Sequence, residues 1–498
     1  MIDRLEANLR THGATLTAVA LALGLGILLV AAVNLDPAAG VTTSGSPVSD
    51  EGWNAVGARN LALLRRASTD DWNMYLVNLP FTVTLTAVFS VFGTGIVQAR
   101  LATISMVVLT FILLALGLRR PLGRWPAMVA AIAVGTSTLI LYYGRLVYLE
   151  DLVVLCLVAG FVALAVVDHR PTGAGIFSGL VFGLAIGSKP SAVFSVAGLW
   201  LAVTLIEGRR SPVIRRWLLM VAVVVALMGL GWVIAIWAPN REAVALDLRI
   251  WPSFDWPSSI PDAAVRLARF ALGRGDDGAV RLMAPAIVFA GAGVAALCLD
   301  RVRPVGGSSD PIARLMLAAA TGWLTLGSIV VIEAAYHPNR YLVPIIRPLA
   351  VLGAGGLRSI AQRLGPRLPW AARVVGALAL AFLLAAPGLA AHAAWMASSS
   401  SDIPAAQAAL APLVPRGSVV VGFGAPLLLM SAPVTTLIPR AGLPANSGDV
   451  YRDRGARWYF ASRSGTPPIV DVPPTWSRRR LAGCVIWNAG ETCLFEVP

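Results

Sequence analysis

The chain has 498 residues, of which 57% are hydrophobic and 13% are charged. A soluble globular protein of this length is excluded, because that much apolar surface needs lipid to cover it. The formal net charge of +14 does not indicate nucleic-acid binding, because the arginines cluster between apolar runs, where the positive-inside rule expects them. The composition therefore predicts a polytopic α-helical membrane protein.

Basic clusters set the predicted orientation. They lie at 119–124, 169–170, 209–216, 301–314 and 358–373, and all five are expected in the cytoplasm. About eleven spans fit this pattern, at 14–33, 100–118, 125–142, 151–168, 172–187, 190–206, 217–238, 281–299, 315–332, 341–357 and 374–392. The N-terminus is then cytoplasmic and the C-terminus is outside. The first span carries no clear cleavage pattern, so it is expected to remain as a signal anchor.

One apolar stretch, 79–96, does not fit this count, because a full crossing there would invert every later loop. It is predicted to lie along the outer leaflet or to dip into it. The segment before it has an apolar helical arc, with arginines opposite, at Trp53, Val56, Leu61, Leu63 and Leu64 against Arg59, Arg65 and Arg66. This pattern is typical of a helix in the membrane interface. A solvated amphipathic helix explains the arc equally well, but it does not explain the topology conflict.

The end of the chain is predicted to be a separate domain. Residues 1–392 form the transmembrane part, with a first outer loop at 34–99, and 393–498 form a small extracytoplasmic α/β or β domain. Short β-type stretches alternate there with Pro, Gly and Ser turns. Cys484 and Cys493 flank a strand, a turn and another strand, which predicts a hairpin disulfide; two buried thiols are the alternative.

Acids lie at two places on the predicted outer face. Asp50 and Glu51 follow the first span, where they either keep a loop solvated or face a substrate at the headgroup plane. The segment GRLVYLED places Arg145, Glu150 and Asp151 at a span junction. An acid at the end of an apolar helix is costly unless it faces an aqueous cavity, so this segment is a candidate functional site.

Cations complete the pattern. Lys189 is the only lysine in a chain whose other permanent cations are arginines, which indicates either a need for a compact ammonium or chance survival. The segment HPNRY places His337, Arg340 and Tyr341 at the outer mouth of the tenth span. Arginine and lysine there can neutralise a phosphate, although snorkelling at a helix end is an alternative for Arg340. Acids, phosphate-binding cations and a surrounding membrane suit group transfer from a phosphate-linked lipid.

Five segments in this order resemble the GT-C superfamily of polyprenyl-phosphate-sugar glycosyltransferases, especially its protein-mannosyltransferase and aminoarabinose-transferase-like branch. They are DEGWNAVGARNL, LPFTVTLTAVFSVFGTGIVQARL, GRLVYLED, GLAIGSKPSAV and NRYLVPIIRPLAVL, and the resemblance covers about residues 14–357. The resemblance implies interfacial helices in the first outer loop. It also implies a catalytic base at Asp50, with Glu51 beside it, and a second acid at Glu150, with Asp151 left open.

The reaction implied by the resemblance is sugar transfer with inversion, in which Asp50 accepts the proton of an acceptor hydroxyl. Lys189 and Arg340, with His337, Tyr341 and Arg145, are expected around the donor phosphate. A divalent cation, Mg²⁺ or Mn²⁺, between Asp50 and Glu150 suits their oxygen ligands, but nothing in the sequence requires a cofactor. A nucleotide-sugar donor is not expected, because there is no DxD motif or nucleotide-binding Gly-rich loop.

Other interpretations stay open from the sequence. Trp251 and Trp256 either stack on sugar rings or anchor their loop at the interface. A transporter or flippase of a lipid-linked glycan is the alternative function, but it predicts charges deep in helices and two related halves. A structural subunit is a third. The expected partners are the membrane, a polyprenyl-phosphate-linked sugar and a glycan, lipid or protein acceptor. The Ala, Arg and Val bias favours a bacterial plasma membrane.

Overall fold

The computed structural model describes most of the chain. Its described residues are 2–36, 48–68, 74–208, 210–250, 259, 261–262, 265, 279–302, 310–329, 339–364, 369–439, 451, 453–461, 479–487 and 490–497. His337, Trp251 and Trp256 lie outside them.

Among the described residues, helices predominate as far as Ser398. They are α1 (Ile2–Ala31), α2 (Val48–Leu64), α3 (Leu79–Phe92), α4 (Ile96–Gly117), α5 (Arg119–Leu122), α6 (Arg124–Gly135), α7 (Thr138–Tyr143), α8 (Leu149–Val162), α9 (Pro171–Ser188), α10 (Ala192–Val203), α11 (Pro212–Trp232), α12 (Arg241–Ile250), α13 (Ala279–Val302), α14 (Pro311–Gly327), α15 (Ile346–Leu364) and α16 (Trp370–Ser398). Short 3₁₀ turns lie at Met74–Leu76, Ala163–Val166 and Asn339–Leu342.

Six helical segments of the described chain are long and apolar enough to cross a membrane. They are Ile96–Leu122, Leu149–Val166, Pro171–Ser188, Pro212–Trp237, Asn339–Leu364 and Val375–Ser398, and shorter apolar helices lie at Thr15–Ala31, Leu79–Phe92, Arg124–Gly135, Ala192–Gly208 and Met283–Cys298. The predicted class, a polytopic helical membrane protein with a small C-terminal domain, is confirmed. The number of helices that cross the membrane stays a prediction.

Close backbone contact joins α10 to α14. A Cβ atom added to Gly198 would lie 2.1 Å from the carbonyl oxygen of Gly322, and one added to Gly322 would lie 2.0 Å from that of Gly198. Only glycine permits this approach, which is a common way for helices to pack within lipid. The contact fixes α10, which follows Lys189, against α14.

The loop between α1 and α4 contains α2 and α3, and the two helices have different environments. α3 leaves Val83, Val91 and Phe92 exposed by 55%, 72% and 70%, an apolar face that lipid would cover. In α2, by contrast, Ala55, Ala58 and Arg59 are fully buried. The sequence places Arg59 on the polar face with Arg65 and Arg66, but the C-terminal domain covers Arg59 in the structure, whereas Arg65 and Arg66 are exposed.

The C-terminal domain is a mixed sheet with two short helices, α17 (Asp402–Leu410) and α18 (Ala425–Leu428). Its strands are β1 (Val419–Val421), β2 (Thr435–Leu437), β3 (Ala456–Ala461), β4 (Arg480–Trp487) and β5 (Gly490–Glu496), in the spatial order β2-β1-β3-β5-β4. β1 runs parallel to β2 and β3, whereas β5 is antiparallel to β3 and β4. Cys484 pairs directly with Cys493 across the β4–β5 hairpin, and the two form a disulfide.

Candidate active site

Four charged side chains from four separate elements meet at one place. An oxygen of Asp50, Oδ2, lies 2.8 Å from Nη1 of Arg340, and Nε of the same arginine lies 3.6 Å from Oε1 of Glu150. Nζ of Lys189 lies 2.6 Å from that same Glu150 oxygen. The result is an alternating row of charges, Asp50–Arg340–Glu150–Lys189, which we call the charge row.

Local structure explains how each member reaches the row. Asp50 lies in the first turn of α2 and Glu150 in the first turn of α8, where the helix dipole favours a negative charge. Lys189 ends α9 in an extended conformation, with φ −153° and ψ 109°, because the proline that follows it disfavours the helical region. Arg340 lies in the 3₁₀ turn before α15.

Aromatic rings flank the two cations. The ammonium of Lys189 lies 4.0 Å from the ring centre of Tyr341. The guanidinium of Arg340 lies 5.1 Å from the ring centre of Tyr148 and 5.6 Å from that of Tyr341. The negative ring faces stabilise both cations where little water reaches them. Burial raises the pKa of Tyr148 well above its usual value, so its ring presents a neutral phenol.

The charge row is partly exposed. The side chains of Asp50, Lys189 and Arg340 are 20%, 19% and 13% exposed, whereas that of Glu150 is 4% exposed. Beside Lys189 lies a small open cavity. Apart from Lys189 and Tyr341, its lining residues are small or apolar, namely Val153, Leu157, Ser191, Ala192, Ser195, Gly327 and Pro344. The lysine therefore joins an ionic site to an apolar cavity.

Glu51 has a different role from its neighbour Asp50. Its side chain is fully buried and accepts hydrogen bonds from Nε and Nη2 of Arg100 at 2.9 and 2.6 Å. The amide of Val147 donates to it as well, at 3.1 Å. Both carboxylate oxygens are thus engaged in tying α2 to α4 and to the segment before α8. Arg100 is missing from the sequence-based candidates, although an arginine at the start of an apolar span indicates a buried partner.

The two acids of the second pair, Glu150 and Asp151, also have different partners. Glu150 belongs to the charge row, whereas Asp151 is 2% exposed and interacts electrostatically with the buried Arg347 of α15. Neither oxygen of Asp151 has a hydrogen-bond partner within the described part of the chain. Glu150 is therefore the acid that faces the candidate site.

Arg145 lies away from the charge row. Its Nη1 and Nη2 donate to the backbone oxygens of Leu35 and Asp36 at 2.6 and 3.2 Å, and its guanidinium lies 4.2 Å from the ring centre of Trp395. Burial lowers its pKa to about 9, which still leaves it protonated at neutral pH. Arg145 holds the end of α1 in place, and the structure does not bring it to the expected phosphate site.

The donor set does not fit a divalent cation between Asp50 and Glu150. Arg340 lies between the two acids, and Lys189 takes up the Glu150 oxygen that faces the site. Mg²⁺ and Mn²⁺ need several oxygen ligands without competing cations. Within the described residues, Cys484, Glu491 and Cys493 are the three potential ligands that come close together, and the two cysteines form a disulfide there.

Comparisons with known proteins agree with this architecture. Residues 80–237 match the family described as dolichyl-phosphate-mannose-protein mannosyltransferase. This segment contains α3, Glu150 and Lys189. A search of the curated proteins gives no match to the chain.

Solved structures share the fold over nearly the whole chain. ArnT from Cupriavidus metallidurans bound to undecaprenyl phosphate is 15% identical, with a TM-score of 0.66 over 98% of both chains. The archaeal oligosaccharyltransferase AglB from Archaeoglobus fulgidus, in complex with an inhibitory peptide and a dolichol-phosphate, is 12% identical, with a TM-score of 0.55 over 91% of this chain and 70% of that one. The Archaeoglobus fulgidus oligosaccharyltransferase in complex with Zn and sulfate is 11% identical, with a TM-score of 0.53 over 89% of this chain and 68% of that one.

The fold and the family match together define the class: the chain is a multi-pass membrane protein with a GT-C fold, and its residues 80–237 are similar to the mannosyltransferase family. Within that class it resembles the protein-mannosyltransferase and ArnT-like members. The identification from the sequence is confirmed at this level.

Proposed function

We propose that the enzyme transfers a sugar from a polyprenyl-phosphate donor to a hydroxyl acceptor on the outer face of a bacterial plasma membrane. The charge row carries this proposal, because it combines a partly exposed carboxylate with two cations, of which Lys189 borders an apolar cavity. A polyprenyl phosphate combines the same two properties, because its ionic head group is joined to an apolar isoprenoid tail. The lipid phosphates named for ArnT and AglB belong to this chemical class.

In the proposed donor complex, the phosphate binds Lys189 and Arg340. Arginine binds phosphate through two parallel N–H groups, and lysine binds it as a point charge. A phosphate at Arg340 competes with Asp50 for the same guanidinium, from which Asp50 is 2.8 Å away. Donor binding would therefore release the Asp50 carboxylate for proton transfer, while the buried Glu150 keeps both cations in position.

The proposed reaction is a single displacement with inversion. The acceptor oxygen attacks the anomeric carbon, and the bond from that carbon to the phosphate oxygen breaks. The bonding electrons leave with polyprenyl phosphate, whose developing charge Lys189 and Arg340 stabilise. Asp50 accepts the proton of the acceptor hydroxyl. We assign no step to a metal ion, because cations already occupy the space between Asp50 and Glu150.

The transfer of labelled sugar from polyprenyl-phosphate donors by the purified enzyme in lipid nanodiscs tests this function. Asp50→Asn is nearly isosteric and removes the proton acceptor, so the rate should fall by about 10²- to 10⁴-fold while the thermal unfolding midpoint stays close to that of the parent. Glu242→Gln is the matched control, since Glu242 is an exposed acid at the start of α12. A rate for Asp50→Asn within a few-fold of the parent would remove Asp50 as the base.

A flippase would give a different result in the same system. It would move the lipid-linked glycan across a bilayer without forming a glycosylated acceptor. Proteoliposomes with donor in one leaflet distinguish these reactions, because transfer consumes the donor and flipping only redistributes it. Redistribution without a new glycosidic bond would contradict the proposed function.

A further inference from the structure

Arg59 stands out among the cations outside the charge row. It lies in the middle of α2, is fully buried and faces the C-terminal domain. No carboxylate lies within ion-pair distance of it among the residues that the structure describes. A buried arginine without an acid is rare, because the cost of removing its charge from water must be met by hydrogen bonds alone.

Backbone carbonyl groups supply most of those hydrogen bonds, and Nη1 of Arg59 also donates to Oδ1 of Asn60 at 2.7 Å. Nε of Arg59 donates to the oxygens of Leu429 and Met430, each at 3.2 Å. Nη2 donates to the oxygens of Leu429, Ala432 and Val434 at 3.1, 2.5 and 2.9 Å. The four carbonyl groups surround one planar guanidinium, and they belong to the segment between α18 and β2. The planar guanidinium carries N–H donors on several edges and fits among these four carbonyl groups, whereas the ammonium group of a lysine does not.

Two further contacts join the same surfaces close to Asp50. A Cβ atom added to Gly52 would lie 2.6 Å from the backbone nitrogen of Leu427, so α2 and α18 touch backbone to backbone. The indole nitrogen of Trp53 donates to the oxygen of Phe423 at 2.9 Å. The C-terminal domain therefore contacts α2 at two places, in the turn that follows Asp50 and at Arg59.

We infer that Arg59 is a positioning residue, which docks the C-terminal domain onto α2 and thereby holds Asp50 against Arg340. Eight residues before Arg59, α2 is also fixed by the ion pair between Glu51 and Arg100. Because α2 is held at both places, a displacement of the helix at Arg59 also displaces Asp50 in its first turn. The inference rests on the proposed function in one respect, the role of Asp50 in transfer.

The docking contact at Arg59 depends on a positively charged guanidinium. Burial lowers its pKa to about 10, so it stays protonated at neutral pH. Removal of the guanidinium would leave four carbonyl groups around a gap of guanidinium shape, and buried carbonyls without donors are destabilising. That gap allows a direct test, because free guanidinium can fill it.

The experiment compares Arg59→Ala with Arg66→Ala. Arg66 lies beyond the end of α2, is exposed and makes one side-chain hydrogen bond to the same domain, to Oγ1 of Thr435 at 2.9 Å. Arg59→Ala should lower kcat for transfer by about 100-fold with little change in the donor KM, because a displacement of about 1 Å has that effect on a reacting group. Millimolar guanidinium chloride should restore most of the rate, whereas NaCl and urea at equal concentration should not. Arg66→Ala should match the parent.

Hydrogen exchange of the amides at 427–434 provides a readout that needs no donor. Exchange should be faster in Arg59→Ala and return toward the parental rate with guanidinium. Unchanged exchange would overturn the docking. Restored exchange without restored transfer would overturn the positioning role, because the domain would then be docked without effect on Asp50. Faster amide exchange in an Arg59→Ala enzyme that retains the full transfer rate would also overturn the positioning role.

Two outcomes separate this inference from the proposed function. If the parent transfers no sugar from any polyprenyl-phosphate donor while exchange still responds to guanidinium, the proposed function fails and the docking stands. If Arg59→Ala does not accumulate, Arg59→Lys takes its place, because lysine keeps the charge and loses the planar fork. A full transfer rate with parental exchange in Arg59→Lys would overturn the role of the guanidinium.

Discussion

Lys189 is the residue in which ionic and apolar surroundings meet. Its ammonium contacts the Glu150 carboxylate at 2.6 Å and lies over the Tyr341 ring at 4.0 Å, and its side chain also lines the cavity. A guanidinium is planar and longer than an ammonium, so it cannot keep the same distances to the acid and to the ring. This geometry gives a physical reason for a lysine in a chain whose other permanent cations are arginines.

We predict that Lys189→Ala slows transfer by about 100-fold or more and weakens donor binding, because the developing phosphate charge loses a partner. Lys189→Arg should recover only part of that loss. Donor titrations and single-turnover rates of the three proteins measure both effects. A fully active arginine variant with parental donor affinity would make Lys189 a structural residue and leave Arg340 as the main phosphate ligand.

The neighbouring acids show which features of the candidate site can be predicted from the sequence at the scale of single residues and which cannot. It indicates Asp50 with Glu51 and Glu150 with Asp151, but consecutive helical residues point about 100° apart, so the two members of each pair face different partners. The choice depends on residues distant in the chain, Arg100 for Glu51 and Arg340 for Glu150. Arg145 shows the same limit, since the backbone carbonyl groups that bind it follow α1.

At the scale of elements, hydrophobic length and basic clusters predict the helices well. Each predicted span overlaps a helix of the described chain, although 125–142 covers two helices, α6 and α7, and 330–332 lies outside the described residues. The small C-terminal sheet appears where Pro, Gly and Ser turns separate β-type stretches. The polar face of α2 differs from the prediction. Its arginine is covered by carbonyl groups of the segment at 429–434, far along the chain, and local periodicity carries no information about such a partner.

The apolar helix α3 decides the predicted topology. If it lies in the outer leaflet, a cysteine at Ser90 should react with a membrane-impermeant maleimide added to intact cells, and one at Arg120 should react only after permeabilisation. Both side chains are exposed in the structure, so burial within the protein does not confound the comparison. Reaction of both positions in intact cells would mean that α3 crosses the membrane, and the eleven-span arrangement would fail.

At the scale of the whole molecule, the C-terminal domain and the loop between α1 and α4 form one unit. Asp36, just after α1, accepts hydrogen bonds from the hydroxyl of Ser400 at 2.9 Å and from the amides of Asp402 and Ile403 at 2.6 and 3.1 Å. With the contacts of Arg59 and Trp53, the domain meets the loop at several separate points. The domain and the loop must therefore lie on the same side of the membrane as the charge row.

The disulfide makes this sidedness measurable. In a Cys156→Ser, Cys298→Ser background, Cys484 and Cys493 are the remaining cysteines of the chain. Disulfides persist in oxidising compartments outside the cytoplasm. Intact cells should therefore show no labelling by an impermeant maleimide until an impermeant phosphine reductant is added, and Cys484, which is partly exposed, should then react first. Labelling that needs permeabilised cells would place the domain in the cytoplasm. Because the domain is tied to α2, that result would also place Asp50 inside and contradict transfer at the outer face.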